Sequence, residues 1–226
     1  MRLLIDDAHI DLIRIAYDFY PISGVTTNPT ILSKIGGNPF DVLREIREYI
    51  IDDQLHVQAV SRNADDIVEE AKHIINILGE DTCVKIPAIT EGFKAMQILR
   101  DTTEILFTAT AVYTPMQAYL AAECGAAYVA PYVNRIDNMG FNGLDVTKQI
   151  QDIFENNDME TEVLAASFKN SQQLLELCEY GIAAATITPD LLTTLTKNSA
   201  ITDAVETFIK DFESFAGEGK TMLNYN

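Results

Sequence analysis

Cysteine is scarce. The chain has three, Cys83, Cys124 and Cys178, an odd number with no C-x-x-C spacing, so neither a disulfide framework nor a zinc ribbon is expected. Histidine is as sparse: His9, His56 and His73 are scattered, which counts against a His-built metal site. Basic residues are outnumbered, 16 Lys and Arg against 34 Asp and Glu, for a net charge of −18. A nucleic-acid binder needs a basic face, as does a protein held on anionic lipid, so neither partner is expected. An anionic substrate would have to be met by a few local basic residues. No run of about 18 apolar residues occurs, and no basic segment precedes an apolar one near Met1. The expectation is a soluble, cytoplasmic chain. No low-complexity linker and no repeat motif divides it.

Apolar residues are ample. They make up 47% of 226 residues, enough to bury the core of one large domain. Short apolar β-rich runs recur, each ending in a polar residue and followed by a helical pattern. They are Arg2–Ile5, Gly24–Val25, Leu55–Val60, Thr82–Ile86, Glu104–Thr110, Tyr128–Val133, Glu162–Ala166 and Ala183–Ile187, with starts 21 to 34 residues apart. Near-continuous apolar runs suit parallel strands covered on both faces. Helix signals fill the gaps. Thr114–Pro115 and Thr188–Pro189 read as N-cap and N1, Gly125 and Gly181 as stops, and Ala64–Leu78 as one amphipathic helix. Eight such units predict an α/β fold, a single (β/α)₈ barrel over residues 1–226, with a further helix over about 199–215 and a loose tail over 216–226. The competitor, an open doubly wound sheet, usually carries a G-x-G-x-x-G turn after its first strand, and none follows Ile5.

Catalytic groups in such barrels sit at the carboxyl ends of the strands. Those ends carry Asp6, Thr26-Thr27-Asn28, Gln58, Lys85, Thr110, Tyr132 with Arg135, Ser167, and Thr186 with Thr188. Lys85 stands out, because lysine is seldom buried unless paired or functional. Desolvation lowers a lysine pKa and leaves an amine able to attack a carbonyl; the alternative is a strand-edge lysine snorkelling to solvent. Asp6 and Asp7 point to opposite faces of a strand, and Asp7 reads as a loop or cap acid. Arg135 and Ser167 follow neighbouring strands and could clamp a phosphate, although a surface arginine is the plainer reading.

Taken together, LLIDDA (Leu3–Ala8), GVTTNPT (Gly24–Thr30), VKIPAITEG (Val84–Gly92), TAVYT (Thr110–Thr114), YVAPYVNRID (Tyr128–Asp137) and LAASFKN (Leu164–Asn170) resemble the small transaldolase-like enzymes, and within them the fructose-6-phosphate aldolases. The resemblance implies a (β/α)₈ barrel and a class I aldolase without cofactor or metal, acting on sugar phosphates and small hydroxyketones or aldehydes. Lys85 matches the Schiff-base lysine. Asp6, Thr26 and Asn28 match positions around the three-carbon unit, with Asp6 a proton-transfer candidate. Gln58, Thr110 and Tyr132 match a trio around a catalytic water, and Arg135 and Ser167 match the phosphate site. Transaldolases of the family usually carry Glu where Gln58 stands and Phe where Tyr132 stands, so the implied activity is cleavage of fructose 6-phosphate to dihydroxyacetone and glyceraldehyde 3-phosphate. The alternatives are a transaldolase moving the three-carbon unit between sugar phosphates, and a non-catalytic barrel. An arginine–serine clamp would also read another oxyanion, such as a sulfonate. Asp7 departs from the family's usual hydroxyl residue. Family members form homo-oligomeric rings, commonly pentamers or decamers, and the apolar stripe Ile201, Val205, Phe208, Ile209, Phe212 and Phe215 suits that role, or else covers its own barrel.

Overall fold

Alternation along eight short strands sets the architecture. The computed structural model describes residues 1–225. The strands are β1 (Arg2–Asp6), β2 (Ile22–Thr26), β3 (Gln54–Gln58), β4 (Thr82–Pro87), β5 (Phe107–Val112), β6 (Tyr128–Pro131), β7 (Glu162–Ala165) and β8 (Ala184–Ile187). Each pairs with the next, and β8 pairs in parallel with β1, closing a barrel. Side chains of one parity face the helices: Val25, Leu55, Val84, Ile86, Ala109 and Val129 are fully buried there. The other parity fills the interior. Leu4, Cys83, Tyr128, Leu164 and Ala184 form one packed cluster, while Thr26, Lys85, Thr110 and Thr186 lie toward the carboxyl ends of their strands. The barrel is therefore a packed core with its polar residues gathered at one mouth.

The helices follow the strands in order. They are α1 (Ile10–Phe19) after β1, α2 (Pro29–Ile35) and α3 (Pro39–Ile50) after β2, α4 (Ala64–Leu78) after β3, and α5 (Thr90–Thr102) after β4. Then come α6 (Pro115–Glu123) after β5, α7 (Val133–Asp137) and α8 (Gly143–Asn156) after β6, α9 (Ser171–Tyr180) after β7, and α10 (Pro189–Thr194) and α11 (Ser199–Ala216) after β8. Asparagine opens most of them. Asn28, Asn38, Asn63, Asn142, Asn170 and Asn198 each accept a backbone N–H of the first turn, a cap worth about 1 kcal/mol. Thr114 closes a capping box with Gln117, with Pro115 at the first helical position.

Some boundaries differ from those read in the sequence. β3 ends at Gln58 and β5 begins at Phe107. The run through Val133 stops as strand at Pro131, because Tyr132 turns the chain into α7. Thr90 lies inside α5, and Ile89 precedes it as an uncapped N-cap.

The chain divides into two compact units, Met1–Leu191 and Leu192–Asn226. The first holds the whole barrel. In the second, α11 presents Ile201, Val205, Phe208 and Ile209 to solvent, while Phe212, Phe215 and Tyr225 stack edge-on with centroids 4.9–6.1 Å apart. No helix among the described residues is long and apolar enough to cross a membrane.

Candidate active site

Lys85 occupies the middle of the barrel mouth. It sits on β4 in register with Gln58 of β3 and Thr108 of β5, and is only 6% exposed. Its Nζ donates to the Thr27 carbonyl at 2.8 Å. Burial pushes the ammonium pKa down, the Asp6 carboxylate opposes that shift, and the Arg135 charge adds to it. A lysine so placed gives up its proton more easily than one in water.

Beside it runs a hydroxyl chain. Thr26 Oγ1 donates to Asp6 Oδ1 at 2.7 Å and lies 2.7 Å from Thr186 Oγ1. Thr26 has one proton and gives it to the carboxylate, so Thr186 is the donor in the second bond. Asp6 is thereby fixed as an acceptor in the cavity that Lys85 also lines. Asp7 turns away: its Oδ1 accepts the N–H groups of Ala8 and His9 and contacts His9 Nδ1, all at 2.7 Å. It is a loop-capping acid. Asn28 spends its Oδ1 capping α2 through Ile31 N at 3.0 Å.

On the far side Tyr132 hydrogen-bonds Thr110 Oγ1 at 2.7 Å. Its ring is held between the Arg135 guanidinium, 4.4 Å from the centroid, and the edge of Tyr113 at 5.6 Å. Arg135 is exposed. Ser167 follows β7 with φ of +62°, in the left-handed region that non-glycine residues seldom adopt. Its carbonyl accepts Asn134 N–H at 2.7 Å.

These groups line one cavity of about 240 Å³: Asp6, Thr26, Asn28, Lys85, Tyr132, Arg135 and Ser167, with Phe168, Thr186 and Thr188. Thr110 joins through its bond to Tyr132. Gln58 instead lines an adjoining apolar cavity of about 310 Å³ with residues of α2, α3 and α4. The Thr27 carbonyl and Phe168 were given no role from sequence, and Thr186, named there as a strand-end residue, gains its partner Thr26 only in the structure. Its place at the end of β8, beside the strand that ends in Asp6, is the signal that made Thr186 legible. A wider cavity of about 670 Å³ opens where the strands begin. Its arginine, Arg2, is already paired with Glu162, and Glu123 and Glu160 add further negative charge. It offers neither a buried amine nor a free cation.

A closed parallel eight-stranded barrel with alternating helices is a TIM barrel, and its polar residues, a buried lysine among them, gather at the carboxyl-end mouth where such barrels carry their active sites. Comparison with known proteins narrows this class. Residues 3–224 match the family model described as Transaldolase/Fructose-6-phosphate aldolase, and the chain belongs to that family. A "Probable transaldolase" of Hydrogenobaculum sp. (strain Y04AAS1) is 36% identical over 213 residues, covering 94% of this chain and 97% of the relative. One from Thermoplasma acidophilum is 35% identical over 226 residues, covering 99% and 100%. The crystal structure of a "putative phosphonomutase" from Burkholderia cenocepacia J2315 superposes with a TM-score of 0.56 at 14% identity, over 91% of this chain and 93% of that one, a likeness of fold alone.

Proposed function

We propose that this protein is a class I aldolase that cleaves fructose 6-phosphate reversibly to dihydroxyacetone and glyceraldehyde 3-phosphate. The observation that carries the reading is Lys85, buried and with its pKa pushed down, sharing one cavity with Asp6 and with an arginine at its rim. The neutral Nζ adds to the ketose carbonyl, and loss of water gives an iminium. A base takes the proton of the C4 hydroxyl, the C3–C4 bond breaks, and its electrons pass to the iminium nitrogen. Glyceraldehyde 3-phosphate leaves and an enamine stays on Lys85. Protonation of that enamine carbon and hydrolysis of the iminium release dihydroxyacetone and restore the amine.

Tyr132 is the proton carrier in this scheme. Thr110, 2.7 Å from its hydroxyl, orients it. Asp6, held by Thr26, orients the hydroxyls of the three-carbon unit and steadies charge on the amine, and the amide of Asn28 borders the same space. Gln58 completes the water-binding trio by rotating from its apolar neighbour cavity. Arg135 and Ser167 receive the phosphate.

The second reading, a transaldolase, is favoured by the name given to the curated relatives. There the enamine is held for a second sugar phosphate instead of being protonated. Product analysis with fructose 6-phosphate alone separates the two. The aldolase reading expects free dihydroxyacetone without an acceptor; release only as transfer to erythrose 4-phosphate would establish the transaldolase. We also read the exposed stripe of α11 as the surface by which copies of this chain assemble into a ring, a pentamer or a decamer.

A further inference from the structure

We propose that Gln173 is a positioning residue for the anion-binding end of the site, bracing the loop that carries Ser167 against the short helix that carries Arg135. The inference rests on the reading of Arg135 and Ser167 as the phosphate clamp. α7 has only five residues, too few to hold a helical turn by itself. Its last residue, Asp137, ties it to two neighbours. Oδ1 accepts Gly143 N–H at 2.7 Å, and Oδ2 accepts Gln173 Nε2–H at 2.6 Å. The same Gln173 amide turns its Oε1 to the backbone N–H of Lys169 at 2.7 Å. One side chain, 8% exposed, thus joins the end of the Arg135 helix to the segment two residues past Ser167.

The opposite side of that segment is also held by α7. Val133 N–H donates to the Ala166 carbonyl at 2.9 Å and Asn134 N–H to the Ser167 carbonyl at 2.7 Å. Ser167 is pinned from both sides in a left-handed conformation, φ +62°, which persists only where its surroundings over-determine it. α9 has no need of the Gln173 side chain, because Asn170 caps it and accepts Gln173 N–H at 3.0 Å. Neither Gln173 nor Asp137 lines the cavity, so both act through the residues they hold.

The donor–acceptor order of this link allows a test that a merely structural contact would not pass. Gln173→Glu sets two carboxylates face to face. Asp137→Asn sets two amides together, and turning the Gln173 amide to suit one of them opposes its NH₂ to the Lys169 N–H. The double variant restores complementarity: the new amide donates to the new carboxylate, which still accepts from Lys169, with the charge count unchanged. Aldol synthesis from dihydroxyacetone is measured with glyceraldehyde 3-phosphate and with unphosphorylated glyceraldehyde, alongside Arg135→Ala. Each single variant is expected to raise KM for glyceraldehyde 3-phosphate about tenfold, the worth of one well-made hydrogen bond. It should leave kcat/KM for glyceraldehyde within about twofold, and the double variant should return to within about threefold of wild type. Losses shared equally by both acceptors, single variants without effect, or a folded double variant that stays impaired for the phosphorylated acceptor would each overturn the brace. If the single variants do not fold, the folded double variant alone decides. If Arg135→Ala does not discriminate between the acceptors, the clamp itself is wrong and the brace falls with it.

Discussion

A lysine with 6% of its surface exposed is held against its solvation, and in the proposed scheme that cost is what prepares it to attack a carbonyl. Burial lowers its pKa from the ordinary 10.5, against the pull of Asp6, so the neutral amine is populated at a pH where a surface lysine is protonated. The basic limb of kcat/KM with pH for fructose 6-phosphate should therefore be centred below pH 10.5; a limb centred at or above that value would mean an unperturbed amine. Arg135→Ala should cut kcat/KM about 10–100-fold for phosphorylated aldehydes, the range for a lost charge-assisted contact, and clearly less for neutral acceptors, which feel only the loss of its charge near Lys85 and Tyr132. His56 makes a separate prediction. It is fully buried, its Nδ1 2.9 Å from Thr108 Oγ1 and its Nε2 3.3 Å from Gln54 Oε1. Burial first, then the charges of Lys85, Arg2 and Arg47, push its pKa from 6.5 down to about 3. Between those values the unfolded chain binds a proton that the folded one refuses, so stability rises with pH across that window and falls on acidification. The difference in unfolding free energy between wild type and His56→Phe, followed by urea from pH 3 to 8, should climb up to pH 6.5 and flatten above it. A flat difference throughout would show that His56 titrates alike in both states.

Elements were legible where the pattern was dense. All eight strands stand on the apolar runs that announce them, since a strand buried on both faces needs uninterrupted apolar residues, and Ala64–Leu78 matches α4 residue for residue. α2 and α3 were not read, although Asn28–Pro29 and Asn38–Pro39 repeat the cap-then-proline start that marked α6 in the sequence. α7 escaped because its first residue, Val133, ends the apolar run of β6 and five residues are too few to display a helical period. The same limit applies to the candidate site. Its residues follow from their places at strand ends, but the direction of Gln58, the hydroxyl bond from Thr186 and the Gln173 link depend on rotamers that no spacing encodes. Close approach of elements is likewise invisible in sequence. A Cβ on Gly92 would lie 1.9 Å from the Pro87 carbonyl oxygen, where α5 packs on the strand that carries Lys85. Gly92→Ala should cost about 1–3 kcal/mol by overpacking, lowering Tm by about 2–4 °C per kcal/mol for a chain of this size. An unchanged melting curve would mean that α5 shifts freely.

For the molecule as a whole, two features bear on its setting. Phe208 is 71% exposed on α11, and a row of such residues is costly to leave in water. On the ring-assembly reading, Phe208→Asp with Val205→Asp should turn the assembly into monomers in multi-angle light scattering while the barrel's circular dichroism is kept. A monomeric wild type, or an assembly indifferent to both changes, would refute α11 as the interface. The net charge of −18 opposes an approaching sugar phosphate at long range. Added salt screens that repulsion, so KM for fructose 6-phosphate should stay level or fall between about 10 and 150 mM salt, whereas a basic, steered site would show it rising.

Everything in the proposed chemistry passes through one covalent bond, and that bond can be fixed in place. Borohydride added to the protein with dihydroxyacetone or fructose 6-phosphate should reduce the iminium, and peptide mass spectrometry should find a single three-carbon adduct on Lys85. Lys85→Met should abolish both the adduct and the activity, a loss of about 10⁴-fold or more. An adduct on any other residue, or cleavage surviving in Lys85→Met, would contradict the account.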